Sequence, residues 1–304
     1  MSGLSGKNIL LSASLSPDLR TGECVAGLEK AIGDLCYGLV SQGATVVYGG
    51  NLAPNSFTEI IAAALSKSDP DSENPVFIHV IDEPTLAGST FGRLYDVIRL
   101  RQSTPTQTFG FINGELGQFF LKGNTVEFST ERSIETYDQG SFPSRIGDGS
   151  VGEAFAHARK WKANFSDACI AIGGKTGILQ LSSDRYFGNL PGVAEELISV
   201  LEMEKPVIAL GAYGGCAAEI AKALGLLNQH FEVPVEVERQ DGFAQAMDIL
   251  SGMHEKIPPH ILGDLSTAAQ MQMSPDLVEL ASTIITNWDG YKPRTTPIFG
   301  FGGS

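Results

Sequence analysis

Cys169-Ile170-Ala171-Ile172-Gly173-Gly174-Lys175-Thr176-Gly177 is followed, after a stretch running to Leu190, by Pro191-Gly192-Val193-Ala194-Glu195-Glu196. The first segment is a short apolar run that stops at two glycines. It has the form of a buried strand closed by a tight turn. The second opens an amphipathic helix. A strand that ends in glycine and leads to a helix N-terminus is an anion site by construction: glycine lets the backbone approach closely, and the free N–H groups and helix dipole favour negative charge. Glu195 and Glu196 fall in the first turn of that helix. There they complement the dipole or hold the hydroxyls of a sugar.

The same alternation extends in both directions. Strands are expected over 7–14, 45–50, 75–81, 168–174 and 206–212, and helices over 24–41, 56–67, 152–165, 193–203 and 216–226. Ser56 with Glu59 three residues on has the spacing of a capping box. Near-continuous apolar strands separated by helices indicate an α/β fold, a doubly wound parallel sheet covered on both faces. Two stretches break the rhythm. Residues 84–150 are rich in Gly, Ser, Thr and Pro, with β-like pieces at 109–112 and 125–128, and read as an insertion near the ligand site or at an interface. Residues 231–304 read as a mostly helical C-terminal extension packed on the domain or a partner, with a β-like piece at 231–237, helices near 242–254 and 275–289, and a loose end at 299–304. The nucleotide-binding domain is thus expected over 1–230.

Composition narrows the functional classes. The chain has 304 residues, 42% hydrophobic and 18% charged, and a formal charge of −14. This suits a globular protein with a large core and argues against a nucleic acid as partner. No apolar run reaches the length of a membrane span, and the N-terminus lacks a signal pattern. Cys24, Cys36, Cys169 and Cys216 are scattered, as expected for reduced core cysteines of a cytoplasmic protein. The five histidines lack metal-ligand spacing, so neither a metal nor a cofactor is expected.

Four expected strand ends carry small residues: Ser12-Ala13-Ser14, Gly49-Gly50-Asn51, Gly173-Gly174-Lys175-Thr176, and Gly211 leading to Gly214-Gly215. In open parallel sheets ligands bind outside the carboxyl ends of the strands, so these ends together suggest a nucleotide or phosphosugar site. Two sharper motifs fail. Gly174-Lys175-Thr176 is not a P-loop, because Cys169 stands where its leading glycine belongs. Gly147-Asp148-Gly149-Ser150-Val151-Gly152 has the dinucleotide spacing but follows a poor strand, and reads as a loop leading into a helix. Arg159, with Lys160 and Lys162, makes a small basic cluster on the helix before the central strand, read by default as a solvated face and alternatively as an anion contact.

In order and spacing, His157-Ala158-Arg159-Lys160, Ser166 to Gly174, Pro191 to Glu196, and Glu204-Lys205-Pro206-Val207 resemble the SLOG superfamily of Rossmann-like folds. That superfamily includes the Lonely Guy phosphoribohydrolases and the ADP-ribose-binding cytosolic domain of TRPM channels. Leu11 to Ser14, Tyr48-Gly49-Gly50, and Gly211 to Ala218 look closest to the TRPM-like (LSDAT) branch, which resembles cyclic ADP-ribose sensors of bacterial defence systems. The resemblance spans about 8–226. It implies a Rossmann-like domain that binds an ADP-ribose-related nucleotide (ADP-ribose, a cyclic ADP-ribose isomer or NAD), as a sensor or sequestering protein. The diphosphate would lie on backbone N–H groups of Gly173–Thr176 and Gly214-Gly215, with Ser12, Ala13, Ser14, Gly49, Gly50 and Asn51 as the floor. Gly192 would open the helix, and Glu195 or Glu196 would hold ribose. In Lonely Guy enzymes, to which Arg159, Glu195 and Glu196 match residue by residue, these groups serve N-glycosidic cleavage. Here Ile172 replaces the proline before the glycines, and a loop from Lys175 to Leu190 separates glycines from glutamates. That loop suits a larger ligand, with Asp184, Arg185 and Tyr186 as possible contacts. The alternatives are a nucleotide N-glycosidase and a ligand-driven assembly protein. The resemblance also implies a homo-oligomer, with an effector on another chain.

Overall fold

The computed structural model describes residues 3–15, 22–66, 74–142, 150–227 and 237–289. Among these, one mixed sheet of nine strands organises the chain. Its parallel part contains β1 (Asn8–Ser14), β2 (Thr45–Tyr48), β3 (Phe77–Ile81), β4 (Thr106–Ile112), β8 (Ala168–Gly173) and β9 (Val207–Leu210). Three antiparallel strands, β5 (Glu115–Lys122), β6 (Thr125–Ser129) and β7 (Ile134–Tyr137), extend it beyond β4. The spatial order is β7-β6-β5-β4-β3-β2-β1-β8-β9. Strands β3, β8 and β9 are buried along their whole length, as expected for a parallel sheet covered on both faces.

The order reverses between β1 and β8. The chain leaves β1 through α1 (Gly22–Ser41) to β2, and then through α2 (Phe57–Leu65) to β3. It leaves β8 through α6 (Gly192–Glu202) in the opposite direction, to β9. Right-handed crossovers then place α1 and α2 on one face and α6 on the other. The packing agrees: α1 lies on α2, while α5 (Val151–Phe165) lies on α6. This is a Rossmann-like doubly wound fold. The crevice at its reversal lies between the carboxyl ends of β1 and β8, where Ser14 pairs with Gly173.

The expected insertion at 84–150 contains four strands of the sheet. Between β3 and β4 the chain forms α3 (Glu83–Ala87) and α4 (Phe91–Arg99), and β4 to β7 then continue the sheet. The pieces expected at 109–112 and 125–128 are parts of β4 and β6, while β5 and β7 have no counterpart in the sequence expectation. Strand β5 is exposed at both ends, and β7 at its first three positions, so neither carries a continuous apolar run. A satellite core built from Leu94, Ile98, Phe119, Val126 and Phe128, among others, sits under this part of the sheet.

The C-terminal part contains α7 (Gly215–Ala223), α8 (Phe243–Gly252), α9 (Leu262–Gln270) and α10 (Pro275–Asn287). Leu250, Leu265, Leu277 and Trp288 belong to the same core as β1 and β8, so these helices complete the domain's own interior. The β-like piece expected at 231–237 lies, but for its last residue, outside the described residues, as do 299–304. Cys36, Cys169 and Cys216 are buried and unpaired; the Cys24 side chain lies outside the described residues. No helix among the described residues is long and apolar enough to cross a membrane.

Two helix starts differ from expectation. Ser56 precedes α2 with extended backbone, but its hydroxyl makes no capping bond. Glu59 instead accepts from the Asn55 N–H at 2.9 Å and from Arg93 at 2.7 Å. Asn55 has a left-handed φ of 55°, which turns its N–H toward the carboxylate, and the box does not form. A full capping box occurs at α5, where Ser150 and Glu153 exchange bonds of 3.2 and 2.8 Å. The rest of the Gly147–Gly149 loop lies outside the described residues.

Candidate functional site

Three cavities that share lining residues run across the carboxyl ends of β1, β2 and β3. The central one, about 300 Å³, is lined by Ser12, Ala13, Ser14, Gly49, Gly50, Asn51, Arg159, Lys175, Gly192 and Glu196 of the expected set. Tyr48, Asp82, Phe155, Lys162 and Phe187 join them. A second cavity, about 670 Å³, opens from it past Ser14, Tyr48, Asn51 and Lys175 toward the start of α2. A third, about 660 Å³, opens past Asn51, Thr85, Phe155 and Phe187 toward α3 and α4.

The floor of the central cavity is a buried ionic network. Helices α5 and α6 pack side by side, which brings Lys162 against Glu196. Both side chains are nearly sealed from solvent, and the ammonium pairs with one carboxylate oxygen. The Ser12 hydroxyl donates to the other at 2.5 Å. Lys162 passes beneath the β2 turn: a Cβ on Gly49 would lie 1.9 Å from its ammonium nitrogen. A side chain at 49 would therefore displace that ammonium from Glu196. One turn earlier on α5, Arg159 pairs with Glu195 and covers Gly192, where a Cβ would meet its guanidinium at 2.8 Å. Each of the two glutamates thus has its own cation, and α6 directs its N-terminus into the cleft through Gly192 and Val193.

Deeper still, His79 is fully buried beside Thr58, with 3.2 Å between its Nε2 and the Thr58 hydroxyl. Burial pushes the imidazole pKa down to about 4, the Gly50 backbone bond opposes this, and the charge on Lys162 adds to it. The ring is neutral at pH 7. Burial, and then the Glu196 charge, push the Tyr48 phenol well up.

The glycine loop is arranged differently from the expected phosphate cradle. The Gly174 N–H donates to the Ser14 carbonyl at 2.8 Å, and the Cys216 N–H to the Gly174 carbonyl at 2.9 Å. Asp184, 1% exposed, accepts from the Thr176 N–H, the Thr176 hydroxyl and the Ile178 N–H at 3.0, 3.0 and 2.7 Å. The Gly214 N–H donates to Gly211 at 2.9 Å. These bonds tie the glycine loop to the end of β1, to the start of α7 and to the Asp184 turn. Gly173, Gly174, Thr176, Gly214 and Gly215 do not line the three cavities. Gly174, with φ 102°, serves packing instead, since a Cβ there would lie 2.8 Å from Val193 and 2.9 Å from Cys216.

The Lys175–Leu190 loop is clamped from both sides. Asp184 is its internal anchor, bonded inward and outside the lining of the three cavities. Tyr186 is held by its N–H on the Gln240 side chain at 2.9 Å and by its hydroxyl on the Asp241 carbonyl at 2.6 Å. Lys175 is half-buried, donates to the Arg185 carbonyl at 3.0 Å, and lines two of the cavities.

Lys162, Phe155 and Phe187 line the central cavity and are not in the expected set. The sequence expectation puts Lys162 with Arg159 and Lys160 on a solvated face by default, whereas Lys160 alone of the three is exposed. Its position three residues after Arg159, on the same helix face, was the available signal. Phe155, on α5, and Phe187, on the loop, carry no signal in the sequence, because whether an aromatic is left open is decided by its surroundings. Among the described residues, no group of His, Cys, Asp and Glu is placed to hold a metal.

No curated protein sequence matches the chain. A family model described as SLOG cluster2 matches residues 3–81 and 128–279. The matched parts supply β1 to β3, the α5–β8–α6–β9 unit and the C-terminal helices, and leave out most of α3 to β6. With most of its length matched and with the Rossmann-like sheet, the chain belongs to the SLOG cluster2 family, a nucleotide-related group of Rossmann-like proteins.

Proposed function

We propose that this chain binds an ADP-ribose-related nucleotide (ADP-ribose, a cyclic ADP-ribose isomer or NAD) across the three-lobed cleft, as a sensor or sequestering protein. The observation that carries the reading is the size and continuity of the cleft. One lobe alone would take a mononucleotide, whereas three lobes sharing walls at the sheet reversal fit a ligand with two nucleoside-like ends. The diphosphate lies beside Lys175 and the α6 N-terminus, rather than on the N–H groups of Gly174, Thr176 and Gly214, which are already bonded. Glu196, held by Ser12 and Lys162, accepts from ribose hydroxyls. The biological setting we propose is bacterial defence signalling, with the effector on another chain.

Thermal unfolding in the presence of ADP-ribose, cyclic ADP-ribose isomers, NAD or AMP tests this. A ligand at 100 times its dissociation constant adds about 2.7 kcal/mol. Absence of any stabilisation by all four sinks the proposal. A second reading, N-glycosidic cleavage, is favoured by the carboxylate of Glu196 standing in the cleft wall. Chromatography of the same samples separates the two. Recovered intact ligand marks a binder, while released base that disappears in Glu196→Gln marks an enzyme.

A further inference from the structure

The loop that carries Phe187 is tied down on every side except at Phe187. Its neighbour Tyr186 is bonded through N–H, carbonyl and hydroxyl to Gln240 and Asp241. The Phe187 carbonyl accepts from Arg159 at 3.4 Å. The Phe187 ring is nonetheless 68% exposed. It lies nearly parallel to Phe155, at 14° with centroids 6.4 Å apart, and the Arg159 guanidinium sits 5.1 Å from the Phe155 centroid. A large aromatic face held in place and left open is a stacking platform.

That face borders the third cavity. Leu52, Pro54, Pro84 and Val151 make its walls apolar, and Val151 is itself 41% exposed. Arg93 also lines it, fixed by bonds to the Leu52 carbonyl at 2.8 Å and to Glu59 at 2.7 Å. The cavity joins the polar one, with its carboxylate and lysine, through Asn51, Thr85, Phe155 and Phe187. Polar and apolar lobes in continuity match the two parts of one molecule: a sugar phosphate, and a planar ring attached to it.

We infer that the third cavity is the base subsite, in which the planar heteroaromatic base of the nucleotide stacks on Phe187 against Phe155. The inference rests on the nucleotide reading and assigns the end of the ligand. Base–aromatic stacking contributes about 1–3 kcal/mol per base, which corresponds to an affinity change of roughly 5- to 150-fold.

The test is calorimetry on the full chain with ADP-ribose and, as a probe without a base, ribose 5-phosphate. Phe187→Ala is expected to weaken ADP-ribose about tenfold or more and to leave ribose 5-phosphate as in the wild type. Phe187→Trp is expected to keep ADP-ribose affinity and to show fluorescence quenching on its addition, beyond that of the wild-type chain with Trp161 and Trp288. Phe187 is exposed, so unfolding is not expected to confound either variant. Equal ADP-ribose affinity in wild type and Phe187→Ala overturns the subsite, as does binding to Phe187→Trp without quenching. So does a matching loss of ribose 5-phosphate. Wild-type chain that binds neither probe, nor a cyclic ADP-ribose isomer, NAD or AMP, overturns the nucleotide reading itself.

Discussion

Replacing Lys162 by methionine separates a structural from a solvated reading of the α5 charges. The Lys162 and Glu196 side chains are 5% and 9% exposed. Methionine keeps the aliphatic stem and removes the charge, leaving the Glu196 carboxylate with the Ser12 hydroxyl at 2.5 Å as its remaining partner. Removing one member of a buried pair typically costs about 3–5 kcal/mol, because the other charge stays out of water. Taking about 2.1 cal/mol/K per residue over the chain, Tm should fall on the order of 5–8 °C. Replacing both partners together, as Lys162→Met with Glu196→Leu, removes the stranded charge and should recover most of that loss. The assay is urea unfolding of the wild type, both single variants and the double variant, with Lys160→Met as an exposed control expected to lie within about 0.5 kcal/mol of the wild type. Gly49→Ala should resemble Lys162→Met, since its Cβ would occupy the ammonium position, and the two should not add. A Lys162→Met chain as stable as the control, or single variants that add in the double, would refute the reasoning.

Two further outcomes are expected. His79 titrates near pH 4 when folded against 6.5 in a free chain. The unfolded chain therefore binds the extra proton first, and stability should fall as pH drops from about 6.5 toward 4, by about 3 kcal/mol in total. Urea midpoints for the wild type and His79→Gln across that window check this, and parallel slopes would exclude it. Asp184→Ala strips the acceptor from two buried N–H groups and a hydroxyl, each worth about 1–3 kcal/mol when left unpaired. The Lys175–Leu190 loop should then open to limited proteolysis, and unchanged protection would show that the clamp is unnecessary.

The alternation of apolar runs and amphipathic helices is a local property. That is why β1, β2, β3, β8 and β9, the helices α1, α2, α5 and α6, and the α6 start at Pro191-Gly192 are legible in the sequence, whereas β4 is legible only over 109–112 and α3 and α4 are not. Small residues at strand ends likewise mark the carboxyl edge of the sheet, and Ser12–Ser14 and Gly49–Asn51 do line the cleft. What the backbone donors of the glycine loop do is another matter. Whether the Gly174 N–H is free depends on the Ser14 carbonyl, 160 positions away in sequence and adjacent only because β1 pairs with β8. The burial of Lys162 depends in the same way on α5 packing against α6, and the exposure of Phe187 on a loop pinned by Gln240 and Asp241. Sequence periodicity reports which face of one element avoids water. Which charges meet, which donors are consumed and which aromatic is left open follow from contacts between elements distant in the chain, and those were decided by the tertiary structure.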